Sequence, residues 1–264
     1  MANKRLLTVV VLLLVVQKGF GIGFQIDISG GYGFAAARDE DVPSYSVDSD
    51  TNISYWKDEL VSRGNGVKID IGTTLFMNDY WGIMLSTGLS LSGGYDVEQK
   101  LLLDSTFFTL KANYFPLFLG VKIKGGNNRI IPYVYMAPGI IIPFNITGEA
   151  VYHAEGQKYI TDATEKFNVG FGISSGLGAQ FNTNKAIGVK CEFAPTYATA
   201  RLYEIILKYE VNDTLFTEKI RFKRDTAELP PDEFGDNYAI YYYHGAPFWS
   251  FSSIAAKIGI IFRF

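Results

Sequence analysis

The sequence predicts an all-β chain: an eight-stranded antiparallel up-and-down transmembrane β-barrel with long extracellular loops. Three observations predict it. A period-two alternation of apolar and polar residues recurs along the chain, the connections alternate tight and long in strict order, and the leader suits export. Composition agrees, since 27 Gly, 20 Phe and 17 Tyr stand beside only 24 Lys+Arg and 27 Asp+Glu, a mixture rich in strand and turn formers. A net charge of -3 offers no basic face to nucleic acid, so that class of partner is set aside.

The chain begins MANKRLLTVVVLLLVVQKGFG. Lys4 and Arg5 precede an apolar run from Leu6 to Val16, and Gly19 and Gly21 bracket Phe20 at the spacing a signal peptidase requires. Residues 1–21 therefore read as a cleaved signal peptide and residues 22–264 as one barrel domain. The run is shorter than the roughly 20 residues a helix needs to span a bilayer, and no later apolar run reaches that length.

The first strand is GFQIDISGGYGF, with Phe24, Ile26, Ile28, Tyr32 and Phe34 on one face and Gln25, Asp27, Ser29, Gly31 and Gly33 on the other. The second sets Val67, Ile69, Ile71 and Leu75 against Lys68, Asp70, Gly72 and Thr74. The third sets Trp81, Ile83, Leu85, Leu89, Leu91 and Tyr95 against Gly82, Ser86, Gly88, Ser90, Ser92 and Gly94. Thr109 to Lys124, Arg129 to Phe144 and Lys185 to Tyr197 alternate less cleanly because of their prolines. Phe167 to Phe181 opposes aromatic and aliphatic residues to a run of Gly and Ser, and the last strand carries Ile254, Ile258, Ile260, Phe262 and Phe264 on one face.

Asn78-Asp79, Gly125 to Asn128 and Asn182 to Asn184 are tight turns of residues that tolerate positive φ. The remaining connections, Ala37 to Gly66, Asp96 to Ser105, Asn145 to Glu165 and Thr199 to Pro247, are long and polar. All tight turns thus fall at one end of the strands, the layout of an outer-membrane barrel. Gly, Ser and charges of both signs on the polar face suit a filled lumen. Phe34, Trp81, Tyr95, Tyr114, Phe181, Tyr197 and Trp249 gather near strand ends as aromatic girdles do, so the apolar face is expected to point outward. Asp27, Lys68, Asp70, Lys111, Lys122, Lys190, Glu192 and Lys257 are then expected to pair inside a lumen only wide enough for side chains. Cys191, the one cysteine, excludes an intramolecular disulfide and reads as a small apolar filler beside Ile187, Val189 and Phe193.

The last connection holds a hairpin, with Tyr203 to Val211 running to Asn212-Asp213 and Phe216 to Phe222 returning. An external ribbon is favoured over two further membrane strands, which would make ten, because Glu218 would face lipid and Thr196 to Arg201 holds no turn residue. Beyond it, Tyr238, Tyr241, Tyr242 and Tyr243 form a candidate binding surface, since Tyr binds at low entropic cost.

The chain closes on KIGIIFRF, which resembles the C-terminal insertion signal of bacterial outer-membrane proteins, read by the barrel-assembly machinery; Lys257, Gly259, Phe262 and Phe264 occupy its positions. YFPLFLGVKIKGG (Tyr114 to Gly126), IPYVYMAPG (Ile131 to Gly139) and FNVGFGISSGLGAQF (Phe167 to Phe181) resemble strands of the outer-membrane β-barrel domain family widespread in Bacteroidetes-type bacteria, within the porin-like superfamily. The resemblance implies an eight-stranded outer-membrane barrel and carries no catalytic motif.

Chemistry has little support in the residues. The two histidines, His153 and His244, fall in external connections without a patterned serine; Ser44, Ser46, Ser54, Asp39, Asp41 and Asp232 are available but unpatterned. No metal set and no phosphate loop is present, so no cofactor is expected. The expectation is a monomeric, non-enzymatic and non-conducting barrel in outer-membrane lipid, with a structural role or a loop-mediated one toward an extracellular or envelope protein ligand. The alternatives are a narrow channel for small hydrophobic solutes, a secretion-machine subunit, and a loop-borne hydrolase.

Overall fold

The computed structural model describes residues 23–36, 63–93, 95–101, 104–126, 129–154, 157–211, 214–223, 233–235, 237–244 and 248–264. The expected signal peptide, and Ser44, Ser46, Ser54, Asp39, Asp41 and Asp232, lie outside the described residues. The strands are β1 (Gly23–Ala35), β2 (Gly66–Phe76), β3 (Trp81–Leu91), β4 (Tyr95–Leu101), β5 (Asp104–Lys124), β6 (Ile130–Ala154), β7 (Gln157–Phe167), β8 (Gly170–Asn182), β9 (Ile187–Val211), β10 (Thr214–Lys223), β11 (Glu233–Gly235), β12 (Tyr238–His244), β13 (Phe248–Ser250) and β14 (Ser253–Arg263).

Eight of these close into an antiparallel ring in the order β1, β2, β3, β5, β6, β8, β9, β14 and back to β1. The seam runs from Gln25 opposite Arg263 to Ala35 opposite Ser253, and the Phe264 N–H donates to the Phe24 carbonyl at 2.9 Å. A closed ring leaves no unpaired edge in the wall.

Burial along the strands is the inverse of a soluble barrel. Gln25, Asp27, Ser29, Lys68, Thr74, Lys122, Gln180, Lys190 and Glu192 are buried, whereas Ile28, Phe34, Val67, Ile69, Ile71, Leu85, Leu117, Leu119, Val134, Met136, Leu177, Phe193, Ile258 and Ile260 are exposed. A period of two fixes which residues share a face, and here the apolar face is outside. A continuous apolar belt of this extent far exceeds what monomers show to water; it is a surface for hydrocarbon. Cys191 is exposed on this outer face, as its neighbours imply.

The turn residues act as expected. Asn78 Oδ1 accepts from the N–H groups of Tyr80 and Trp81 at 2.8 and 3.0 Å, and Asn184 Oδ1 from those of Ala186 and Ile187 at 2.8 and 2.7 Å. These are turns in which a side chain replaces a backbone acceptor.

The other end departs from expectation, because three of the four long connections are largely strand. β5, β6 and β9 have 21, 25 and 25 residues and run past the ring. Beyond the ring, β7 enters between β6 and β9, β4 pairs with β5, β10 with β9, β12 with β10 in parallel, and β11 with β12. An open sheet in the order β4, β5, β6, β7, β9, β10, β12, β11 therefore stands on one side of the barrel rim. The hairpin is thus an external ribbon and the ring keeps eight strands. The level of departure is marked by irregularities. Asn145 in β6 has φ 47, and β9 carries an extra residue at Tyr203, since Phe167 faces Leu202 while Lys166 faces Glu204. Such bulges re-aim a strand and change which side chains share a face.

Three placements correct the expectation. Tyr114 is buried in the barrel at 2% exposure instead of joining a girdle. Its strand turns Ala112, Tyr114, Phe118 and Lys122 inward, so Lys111, of opposite parity, is exposed and no part of the lumen. Trp249 is half-buried beneath a guanidinium. Phe34, Trp81, Phe181 and Tyr197 are exposed as girdle residues should be.

Candidate functional site

The charges and phenols of the lumen come one or two each from six of the eight ring strands, because alternate residues of every strand point to the same axis. β9 contributes Lys190 and Glu192, β1 Asp27, β2 Lys68 and Asp70, β5 Lys122, β6 Tyr133 and Tyr135, and β14 Lys257. Lys190 Nζ donates to Asp27 and lies 3.4 Å from Glu192 Oε2. Lys257 Nζ sits 2.8 Å from Asp70 Oδ2 and 3.7 Å from Glu192 Oε1. Tyr133 and Tyr135 donate to the two Glu192 oxygens at 2.8 and 3.0 Å. Lys122 is 4.0 Å from Asp27 Oδ2 and rests over the Tyr133 ring at 4.4 Å.

Lys68 has hydroxyl partners instead of a carboxylate, donating to Ser90 Oγ at 2.5 Å and the Tyr114 hydroxyl at 2.7 Å. Buried charges require such partners, since each unpaired one costs several kcal/mol. About 40 Å³ remains among these groups, room for roughly three water molecules.

Glycine makes the arrangement fit at two positions. A Cβ at Gly176 would stand 2.4 Å from the Tyr135 ring, and one at Gly178 2.7 Å from the Tyr133 hydroxyl. The bare backbone of β8 thus lets both phenols reach across to Glu192.

Toward the extended end an apolar layer caps this network. Phe251 packs edge-on against Tyr114 and Phe167, with centroids 5.5 Å away in both cases, among Ile141, Ile146, Ala194, Ala198 and Ala200. Above it Arg63 is 1% exposed, donates to Glu165 through Nε to Oε2 at 3.2 Å and through Nη2 to Oε2 and Oε1 at 2.8 and 3.1 Å, and stacks 3.8 Å from the Trp249 ring. The pairing is bidentate in character and fixes the guanidinium plane.

The external sheet carries a second, more open charge cluster. Lys166 and Arg221 donate to Glu204 Oε1 and Oε2 at 2.5 and 2.8 Å, and Arg221 continues to the Tyr242 hydroxyl at 3.2 Å, which donates to Glu233 at 2.8 Å. Burial pushes the Glu204 carboxyl up, but the hydrogen bonds and charges of Lys166 and Arg221 outweigh it and hold the group below its ordinary range. Tyr209 donates to Glu218 at 2.6 Å, a bond that pushes its phenol up, and stacks on Phe216 at 5.7 Å.

Of the residues singled out from sequence, Tyr238 and Tyr243 are half exposed on β12. Tyr241 packs edge-on against Phe234 at 5.9 Å, and Tyr242 is taken up by Arg221 and Glu233. Lys257 and Gly259 point inward on β14, one into the ion network and the other against the Ile28 carbonyl, while Phe264 is exposed and 6.0 Å from the Phe24 ring. His153 lies on β6 opposite Ser105 and His244 on β12 beside Lys223. Among the described residues no group of three or more His, Cys, Asp or Glu is placed to hold a metal. Sequence reasoning missed Arg63, Glu165, Tyr133 and Tyr135. The last two left a trace, a Tyr-x-Tyr facing a Gly-x-Gly on the next strand.

No family model and no curated protein matches the chain. Solved structures similar to it include the outer membrane protein OprG from Pseudomonas aeruginosa (12% identity, 92% of this chain and 95% of that one, TM-score 0.44). A major outer membrane protein from Thermus thermophilus gives 10% identity over 92% and 99%, TM-score 0.44. Neisserial surface protein A gives 7% over 92% and 97%, TM-score 0.36. At these identities and scores the likenesses assign neither ligand nor activity.

Proposed function

We propose that the chain is a monomeric, non-enzymatic, non-conducting integral barrel of the bacterial outer membrane, whose external sheet meets a protein ligand outside the cell or in the envelope. One observation carries the reading: the lumen is filled by paired charges and phenols and capped by Arg63, while the wall outside is apolar. A filled polar interior behind an apolar wall serves insertion and stability, and leaves recognition to what rises above the wall. The leader 1–21 supports export, and Lys257, Gly259, Phe262 and Phe264 support delivery by the barrel-assembly machinery. Tyr238 and Tyr243 are the exposed aromatics that a ligand would meet on β12.

The test is ion conductance of the refolded mature chain in planar bilayers, beside a variant with Arg63→Ala and Glu192→Ala. No conductance steps are expected from the native chain, with steps appearing in the variant. Steady conductance from the native chain would replace this reading with a channel.

A further inference from the structure

We propose that the barrel carries a docking groove for a phosphate-bearing lipid of the surrounding leaflet, on its outer surface where β8 and β9 pass from wall to external sheet; this rests on the membrane reading above. The groove measures about 360 Å³, within the range of small-ligand sites. Its existence follows from the topology. β7 ends at Phe167 and β8 begins at Gly170, so the wall is continued by a different strand above this level, and β13 and β10 succeed β14 along the other side of β9. The steps between successive partners leave a recess.

Two kinds of residue line it. Val169, Phe171 and Phe248 are exposed at 49%, 73% and 64%, and Tyr203 flanks them. Val169 and Phe171 continue upward the apolar face that Ile173, Leu177 and Phe181 present lower on β8, so one surface runs from the belt into the recess. Arg201 and Lys223 bring two positive charges to its lining, the Lys223 ammonium 5.8 Å from the Tyr242 ring. The Arg201 guanidinium rests 5.7 Å from the Phe248 ring. Cations set in aromatic residues at the edge of an apolar belt match a molecule with an anionic head and an aliphatic body. Continuity with the belt selects a lipid over a soluble phosphate, because the tail would remain in the hydrocarbon region while the head meets the two cations.

The experiment uses the full mature chain refolded in mixed micelles containing equal amounts of dioleoylphosphatidic acid and dioleoylphosphatidylcholine, with lipid retained on the folded protein measured by native mass spectrometry. The native chain is expected to retain phosphatidic acid preferentially, and Arg201→Gln with Lys223→Gln to lose that preference by about fivefold per cation removed. Lys185→Gln, in a tight turn at the opposite end, should leave it intact. Equal retention by native and double-variant chains, both migrating as the compact heat-modifiable species, overturns the proposal. So does displacement of the lipid by millimolar inorganic phosphate, which would mark a site for a free anion. Absence of any compact species in the native chain would instead overturn the barrel reading itself.

Discussion

β9 passes through two charge clusters of similar chemistry and different surroundings. In the lumen, Lys190 and Glu192 join Asp27, Asp70 and Lys257, and all of these side chains are at most 13% exposed. Above the rim, Glu204, itself 9% exposed, joins Lys166 and Arg221, which are 43% and 36% exposed. The comparison teaches that an ion pair's worth lies in what remains when it breaks. In the lumen a lost partner strands a charge among side chains; above the rim, Glu204 keeps its second cation and water reaches the cations themselves.

Three substitutions and one titration break or sharpen this contrast. The largest effect is expected from Glu192→Ala, which removes the acceptor of two phenols and the neighbour of two lysines. It should destabilise the barrel by about 3–5 kcal/mol, read as a lower urea midpoint for the compact species in detergent. Gly178→Ala keeps every charge but sets a methyl 2.4 Å from the Cys191 carbonyl and 2.7 Å from the Tyr133 hydroxyl, so a loss of about 1–3 kcal/mol is expected on the same measurement. A null result there would show that the phenol and the backbone of β9 both give way.

Above the rim, Arg221→Gln should cost below about 1 kcal/mol, and less in high salt. Smallest is the pH dependence of Glu204. Its pKa is depressed in the folded chain, so its contribution is present above the ordinary value of 4.5 and lost as pH falls through the lower folded value. Comparing native and Glu204→Gln midpoints between pH 6 and 3 should show the difference between them shrink toward the acid end.

Much of the wall was legible in the residues. The alternation in β1, β2, β3 and β8 assigned two faces, the Asn and Gly turns placed the tight connections at one end, and Glu218 argued against a ten-strand ring. These succeeded because a strand's period and a turn's φ preferences are local properties. Lys111 and Tyr114 were misplaced where prolines and a second aromatic face blurred the parity of β5. Outside the ring the hairpin of Tyr203 to Phe222 was legible, whereas β4, β7 and the outer part of β6 were read as loops, because charges such as Glu165 interrupt their alternation and find partners only across the fold, as Glu165 does in Arg63.

By itself, then, the sequence determined eight alternating segments and the two faces of most of them. Only the tertiary structure decided which charge meets which. Lys190 reaches Asp27 across 163 residues, Arg63 reaches Glu165 across 102, and Gly176 and Gly178 clear space for tyrosines of another strand. Those choices depend on ring closure and on the stagger between neighbouring strands, which bring distant residues to one level of the lumen and are encoded in no single segment.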